Sequence, residues 1–176
     1  MGDDEGNISW YAPDPRAVLE HDDLYVSRSL RAVIRSERFR VRFSTAFEDV
    51  MRACAAPRSD EHGSWITEEF VATYTALHEA GYAHSVEAWR DGRLAGGLYG
   101  VSIGGAFMGE SMFSRESNAS KVCLVALVER LRERDYVLHD TQFLTPHLER
   151  MGASLIPRAV YERRLRAAIV RPCRFL

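Results

Sequence analysis

The sequence is poor in three features that would each point to a class of protein: cysteine, lysine and long apolar runs. Its three cysteines, Cys54, Cys123 and Cys173, are widely separated, which fits reduced thiols better than a disulfide framework or a zinc site. No run approaches the roughly 18 apolar residues that cross a bilayer, and the acidic start MGDDEGNIS has no signal-peptide pattern. We therefore expect a cytoplasmic protein with no membrane segment and no bound metal.

Two familiar functional motifs are also missing. The stretch HEAGYAH (78–84) has histidines six residues apart, whereas the zinc-binding helix of a metalloprotease needs them four residues apart. The glycines of GGLYGVSIGG (96–105) form neither GxGxxG nor a Walker loop, so they do not indicate a nucleotide-binding loop of either kind. We expect no cofactor.

Positive charge comes almost entirely from arginine, because lysine occurs once, at Lys121. The net charge of −2 says little about partners, but arginines are concentrated in residues 28–42 and 158–174. The planar arginine fork fits phosphate oxygens better than the point charge of lysine does. A helix over 27–39 would place four of them on one face: Arg28, Arg31, Arg35 and Arg38. They form either a phosphate-binding surface or a solvated face in a protein that uses arginine in place of lysine.

The length and the hydrophobic pattern predict one α+β domain. The chain has 176 residues, 46% of them hydrophobic, which suffices for a single core over 1–176, and we expect residues 1–9 to be flexible. Asp91-Gly92 and Gly104-Gly105 are hairpin signals that predict an antiparallel meander. Periodicity predicts helices over 27–39, 45–56, 67–81, 117–135, 145–152 and 158–169, and strands over 41–45, 83–92, 93–105, 106–113, 136–144 and 154–157.

Polar residues at several helix starts are candidate caps. The first helix has Ser27 or Ser29, and the third has Thr67 followed by two glutamates. The second and fourth helices offer two candidates each: Ser44 or Thr45, and Ser117 or Asn118.

Asp140 and Gln142 stand two residues apart near the end of the predicted strand 136–144. Side chains at this spacing point to the same side of a strand, so the carboxylate and the amide are expected to share a face. A carboxylate that holds an amide in one orientation leaves its other atoms fixed for a substrate. The alternative is a structural polar pair that ties the strand end to a neighbouring loop.

Glu110 lies in the apolar run AFMGESMF (106–113), where a buried carboxylate needs a partner. Phe107 and Met112 have opposite parity on an ideal strand, so they can line one cavity only if the strand slips by one residue between them. Gly109 is the natural place for such a bulge. Aromatic and Met side chains of this kind belong to a core more often than to a pocket.

Seven stretches follow one another in an order typical of a known family. They are WYAPDPRAVL (10–19), SRSLR (27–31), SWIT (64–67), LHEAGYAHSVEAWRDGRLAGGLYGV (77–101), FMGESMFSRESNASK (107–121), DTQ (140–142) and MGASLIPR (151–158). Together they resemble the leucyl/phenylalanyl-tRNA-protein transferase family. The resemblance implies an acetyltransferase-like (GNAT) fold with a mixed, mostly antiparallel sheet flanked by helices, in which the aminoacyl end of a tRNA sits where acetyl-CoA would.

The activity that the resemblance implies is transfer of Leu or Phe, and by extension Met, from aminoacyl-tRNA to proteins with an N-terminal Arg or Lys, which marks them for N-end rule degradation. Gln142 would orient or deprotonate the attacking amine, Asp140 would hold and polarise Gln142, and Glu110 would place the cationic acceptor. The implied substrate contacts comprise a donor pocket of Leu98, Phe107, Met112 and Leu124, a stacking Trp65, Ser114, and phosphate contacts from Arg28, Arg31, Arg35 and Arg38.

The chain departs from the family pattern at two points. The family carries a small N-terminal domain ahead of its WSPDPR-like motif, whereas nine residues precede Trp10, so a short form without that domain is expected. His139 stands where an aliphatic residue lines the family's pocket, and it would narrow the pocket, hydrogen-bond a polar side chain or turn away.

Two other functions compete with this one. The first is an acetyltransferase-fold enzyme that uses another acyl donor, and the second is a tRNA-binding module without catalysis. The lack of a Gln/Arg-x-x-Gly-x-Gly loop before the helix at 119 counts against the first. The joint presence of Glu110, Asp140 and Gln142 counts against the second.

Overall fold

The computed structural model describes residues 11–56 and 66–176. The α-helices in these residues are α1 (Arg28–Arg35), α2 (Phe47–Ala55), α3 (Glu68–Glu79), α4 (Ala119–Glu133), α5 (Pro146–Glu149) and α6 (Arg158–Ala168), and His21–Asp23 form a short 3-10 helix that the sequence did not predict. The strands are β1 (Arg16–Val18), β2 (Arg40–Phe43), β3 (Ala83–Arg90), β4 (Arg93–Ile103), β5 (Ala106–Ser114), β6 (Leu138–Gln142) and β7 (Ser154–Ile156). None of the helices described is long and apolar enough to cross a membrane.

The seven strands form one mixed sheet in the order β2-β3-β4-β5-β6-β1-β7. Every neighbouring pair is antiparallel except β5 and β6, which are parallel. The predicted meander is confirmed as β3, β4 and β5. Its hairpins turn at Asp91-Gly92 and at Gly104, where positive φ angles of 50°, 75° and 55° suit turn residues. The expected α+β fold with a mostly antiparallel sheet is therefore confirmed.

Helices cover both faces of the sheet. The side chain of Leu98 belongs to the core cluster under α4, with α1 beside it, whereas its neighbour Tyr99 belongs to the cluster under α2 and α3. A third cluster joins α6 to β6 and β1 through Tyr161, Leu138 and Val18. Because neighbouring side chains on a strand point to opposite faces, β4 supplies apolar groups to both layers.

The parallel pairing of β5 with β6 is short. It runs from Ala106 opposite Leu138 to Met108 opposite Asp140 and stops there. Beyond that point the two strands part, so a gap opens between residues 109–114 and the end of β6. The interruption of the sheet at this place positions the candidate site.

The slip expected at Gly109 is present. Tyr99 pairs with Ser111 and the next residue, Gly100, pairs with Gly109, so Glu110 is the extra residue of a β-bulge. After the slip Met112 faces Leu98, while Phe107 faces Ser102. Phe107 and Met112 consequently lie on the same face of the sheet, as the hypothesis of a shared cavity required.

Some predicted helix boundaries and caps are correct and others are wrong. The Ser27 and Thr67 hydroxyls accept hydrogen bonds from the backbone N–H groups of Leu30 and Phe70, which confirms both caps. Asn118 occupies the N-cap position of α4 with φ 71°, but its side chain makes no capping bond.

The caps predicted for the second helix are wrong. The N-cap of α2 is Ala46, without a side-chain bond. The buried carboxylate of Glu87 on β3 instead accepts the Thr45 N–H at 3.2 Å and the Thr45 hydroxyl at 2.7 Å. Glu87, which is distant in sequence, binds the polar groups of Thr45 just before the helix, and no pattern around residue 45 indicates this.

Facing glycines at the bulge give the first prediction. A Cβ on Gly100 would lie 2.6 Å from the Phe107 ring and would also strike the Met108 carbonyl oxygen, whereas a Cβ on Gly109 would have its nearest neighbours at 3.6 Å. We expect Gly100→Ala to lower the free energy of unfolding by about 2 kcal/mol or more through overpacking, and Gly109→Ala to change it by less than about 1 kcal/mol. Urea unfolding of both variants measures this. Equal losses would contradict the described register.

Candidate functional site

A cavity of about 1150 Å³ opens where β5 and β6 part. Its wall includes Leu98 and Leu124 from the α4 side of the sheet and Tyr74 and Tyr99 from the α2 and α3 side. The cavity therefore reaches both faces of the sheet through the gap between the two strands. A substrate bound on one face can meet a group bound on the other.

The half of the cavity on the α4 side is apolar. Leu98 and Met112 are cross-strand partners, and α4 adds Leu124 and Leu127. Three of the four predicted pocket residues, Leu98, Met112 and Leu124, thus meet here. This half has the chemistry to hold an apolar side chain.

Phe107 does not line the cavity as expected. Its side chain is fully buried, and its ring lies 6.0 Å from the ring of His139 and 5.4 Å from that of Phe175. The physical reason is its place on β5: Phe107 still pairs with His139, at a level where the gap has not opened. Phe107 supports His139 from behind, and His139 lines the cavity.

The half on the α2 and α3 side carries the carboxylate of Glu110. Burial and the nearby charge of Asp140 raise the pKa of Glu110 to about 7, while hydrogen bonding from Tyr74 and the charge of Arg16 act in the opposite direction. Glu110 lines the cavity because, as the extra residue of the bulge, it departs from the regular alternation of side chains on β5. A carboxylate held near its midpoint at neutral pH suits a cation.

Asp140 is fully buried behind the cavity wall and is surrounded by donors. Arg16 donates to it from Nε at 3.0 Å and from Nη2 at 2.7 Å, and the Tyr161 hydroxyl donates at 2.7 Å. The backbone N–H of Gln142 supplies another hydrogen bond at 2.9 Å. Asp140 therefore binds the main chain of Gln142, and the expectation that it grips the side-chain amide is wrong.

Gln142 and Asp140 do not share a face in the manner that their spacing predicted. Val18 pairs with Asp140 but the preceding Ala17 pairs with Gln142, so Thr141 is a bulged residue that shifts the alternation. Gln142 itself has φ 57°, a conformation that few residues other than glycine adopt. Asp140 faces α6, while Gln142 lines the cavity.

Sequence reasoning missed three residues of this site. Arg16 on β1 and Tyr161 on α6 hold Asp140, and Tyr74 on α3 faces Glu110. The one available signal was the need of any buried carboxylate for a partner, which does not say where in the chain the partner lies. The three-residue strand β1, which brings Arg16 to the site, was also not predicted.

The other predicted substrate contacts lie in different places. Ser114 lines the cavity at the start of α4, where its hydroxyl accepts a hydrogen bond from the Ser120 N–H at 3.3 Å. Arg28, Arg31 and Arg35 are exposed along α1. Trp65 lies outside the described residues.

Arg38 does not belong to the helical stripe that the sequence predicted. The helix α1 ends at Arg35, and Glu37 turns the chain with φ 51°. Arg38 instead pairs with Glu116 at 3.1 Å, and Arg90 binds the same carboxylate at 2.7 Å. Its guanidinium is already engaged within the protein.

Residues 11–56 and 66–176 contain no group of three or more His, Cys, Asp or Glu side chains placed to hold a metal ion. The groups that line the cavity provide shape, an apolar surface, a carboxylate and an amide.

Comparison with known proteins identifies similar sequences along most of the chain. Residues 18–166 match the family model described as leucyl/phenylalanyl-tRNA protein transferase. A leucyl/phenylalanyl-tRNA--protein transferase of Gloeobacter violaceus is 54% identical over 99% of this chain and 89% of its own length. One of Rubrobacter xylanophilus is 58% identical over 93% of this chain and 84% of its own length.

Structure comparison finds solved structures with much lower sequence identity. L-PGS from Bacillus licheniformis is 15% identical with a TM-score of 0.47, and the match covers 77% of this chain and 50% of that one. A GCN5-related N-acetyltransferase-like protein from Streptococcus suis is 17% identical with a TM-score of 0.43, covering 80% and 57%.

The raised pKa of Glu110 predicts a pH-dependent stability. Its pKa is about 7 in the folded protein and ordinarily 4.5, so folding favours the protonated form, and the stability that this form provides is lost as pH rises from about 4.5 through 7. Glu110→Gln keeps a neutral side chain at all pH values. We expect its free energy of unfolding to gain about 2–3 kcal/mol on the wild type between pH 5 and pH 8.

The matched control is Glu79→Gln, which removes an exposed carboxylate at the end of α3. Its difference from the wild type should stay nearly constant over the same pH range. Denaturant unfolding at several pH values measures both variants. Parallel curves for the two would mean that Glu110 does not titrate in the predicted range.

Proposed function

Because the chain belongs to the leucyl/phenylalanyl-tRNA protein transferase family, we propose that it transfers leucine or phenylalanine, and also methionine, from aminoacyl-tRNA to acceptor proteins. The acceptors carry Arg or Lys as their N-terminal residue, and the added residue marks them for N-end rule degradation in the cytoplasm. The observation that carries the proposal is the cavity through the sheet, with an apolar half on one face and a carboxylate on the other.

The apolar half would hold the side chain of the donor amino acid. Leu98, Met112 and Leu124 offer it hydrocarbon and thioether surfaces without charge. Such a pocket distinguishes donors weakly, since one methylene is worth only about 1–3 kcal/mol. Several apolar donors should therefore be accepted.

The half with the carboxylate would hold the N-terminal residue of the acceptor. A guanidinium or ammonium group beside Glu110 stabilises the ionised carboxylate, so acceptor binding would lower the pKa of Glu110 from its raised value. Tyr74 and Phe70 provide aromatic surface on the same side of the cavity. Selection of a cationic side chain then rests on charge in a partly dehydrated place.

Gln142 lines the cavity at the end of β6, and its amide would orient the uncharged α-amino group toward the ester carbonyl. The nitrogen forms the new amide bond, the ester C–O bond breaks, and a proton of the nitrogen finally resides on the ribose oxygen of the leaving tRNA. The ester is already activated, so correct placement of the amine is the main requirement and can contribute about 7–11 kcal/mol.

Asp140 would act through Gln142 as a positioning residue. Its carboxylate accepts the Gln142 N–H and thereby holds the main chain in the unusual conformation that directs the amide into the cavity. Arg16 and Tyr161 fix the carboxylate in turn. Residues that do not touch the substrate would thus orient the one that does.

Arg28, Arg31 and Arg35 would contact tRNA phosphates. These exposed side chains follow one face of α1, and phosphate contacts contribute affinity without reading sequence. We also propose that Ser114 contacts the donor and that Trp65 stacks on its terminal adenosine. Arg38 would have to leave Glu116 before it could bind phosphate.

The transfer reaction itself is the central test. We expect the wild-type protein, given Leu-tRNA and a peptide beginning with Arg, to yield a peptide that is heavier by one leucine in mass spectrometry. Gln142→Ala should lower the rate by about 100-fold or more because the amine loses its placement, with tRNA affinity and stability unchanged. An identical peptide with an acetylated N-terminus is the control and should stay unmodified.

Asp140→Asn separates the two roles. It removes one partner of a buried ion pair, so we expect loss of activity together with about 3–5 kcal/mol of stability, unlike Gln142→Ala. Absence of product with wild-type protein would refute the proposed function. Normal turnover by Gln142→Ala would refute its proposed role alone.

The arginines of α1 give a separate prediction about tRNA affinity. Arg31→Ala combined with Arg35→Ala should weaken binding and lower the slope of log K against log salt by about 2, since each phosphate contact releases counterions. The matched control is Arg163→Ala with Arg166→Ala, another exposed pair, on α6. Fluorescence titration over a range of salt concentrations measures both pairs. Equal slopes in the two double variants would exclude α1 as the phosphate-binding surface.

A further inference from the structure

His139 is a polar residue in the apolar half of the cavity. It lies on β6, is only 2% exposed, and lines the cavity together with Leu98 and Leu124. Its ring packs edge-on against the ring of Phe107. Because Phe107 is fully buried, the Phe107 ring cannot move away from His139. The imidazole is therefore held in place at the wall of the half that we assign to the donor side chain.

One ring nitrogen of His139 has no hydrogen-bond partner within the part of the chain that the structure describes. Nδ1 is buried and has no hydrogen-bond partner among those residues. Nε2 lies beside the cavity wall, 3.6 Å from the point where a Cβ on Gly109 would be. Buried polar atoms in native proteins are nearly always paired, so an imidazole left in this state points to a group supplied from outside.

Burial also keeps the ring uncharged. It lowers the pKa of His139 to about 3, so at neutral pH the imidazole has one N–H donor and one acceptor nitrogen. An uncharged ring does not prevent an apolar amino-acid side chain from binding beside it. It can nonetheless both donate to and accept from a hydroxyl group.

The position of His139 decides which part of a donor it meets. Asp140 and Thr141 separate it along the chain from Gln142, beside which the ester would lie. His139 also stands at the level where β5 and β6 are still paired, which is the closed end of the gap. The tip of a long donor side chain, rather than its ester, reaches this point.

Resting on the proposed function, we propose that His139 determines donor specificity by hydrogen-bonding the tip of the side chain, and that the pocket accepts a tyrosine ester beside leucine and phenylalanine. Phenylalanine and tyrosine differ by one hydroxyl group. An apolar pocket penalises that group because it loses its water, whereas a pocket with a neutral imidazole satisfies it. His139 thus widens the range of donors toward a polar tip.

The test compares two esters on one tRNA. The same tRNA is charged with either phenylalanine or tyrosine, and kcat/KM for transfer to a peptide beginning with Arg is measured for each. We expect the tyrosine-to-phenylalanine ratio of the wild-type protein to be at or above about one-tenth. His139→Leu should lower this ratio by about threefold or more, the effect of one net hydrogen bond. A folding defect affects both donors alike and cancels in the ratio.

His139→Gln is the matched variant, because its amide retains a donor and an acceptor. It should keep a higher ratio than His139→Leu. A wild-type ratio below one-tenth, a change of less than threefold in His139→Leu, or an equal fall in both variants would overturn the proposal. If His139→Leu does not fold, the wild-type ratio and His139→Gln decide. Failure of the proposed function would look different, since neither leucine nor phenylalanine would then be transferred.

Discussion

The site depends on the buried ion pair between Asp140 and Arg16. A carboxylate with no exposed surface is costly unless it is paired and hydrogen-bonded, and here Arg16 provides two bonds, Tyr161 a third and the Gln142 main chain a fourth. These contacts join β1, β6 and α6 at a single point. The conformation of Gln142 follows from them, because its positive φ is stabilised by the bond to Asp140.

The gap between β5 and β6 gives one cavity access to both faces of the sheet. Strands that remain paired would separate the α4 face from the α2 and α3 face completely, but these two pair over three residues only. The bulge at Glu110 directs a carboxylate to one face of the sheet, while Met112 stays on the other face. An apolar surface and a carboxylate thus line one cavity from opposite faces of the sheet.

Much of the architecture follows from short-range patterns. Among the described residues, helical and alternating periods located all six α-helices and six of the seven strands, and Gly109 with the parity of Phe107 and Met112 indicated the bulge. The family motifs indicated Glu110, Asp140 and Gln142 as candidate site residues. Errors arose where a distant residue intervened: Glu87 replaced a local cap, Glu116 captured Arg38, and Phe107 was covered where the strands had not yet parted.

The sequence by itself determined the period of each element, the meander and the family to which the chain belongs, because those properties depend on neighbours along the chain. Only the tertiary structure decided that Asp140 holds the main chain of Gln142, that Thr141 bulges, and that Nδ1 of His139 is left without a partner among the described residues. Those outcomes arise from contacts between residues more than a hundred positions apart, such as Arg16 and Asp140, and from the points at which strands part. Local periodicity contains no information on either.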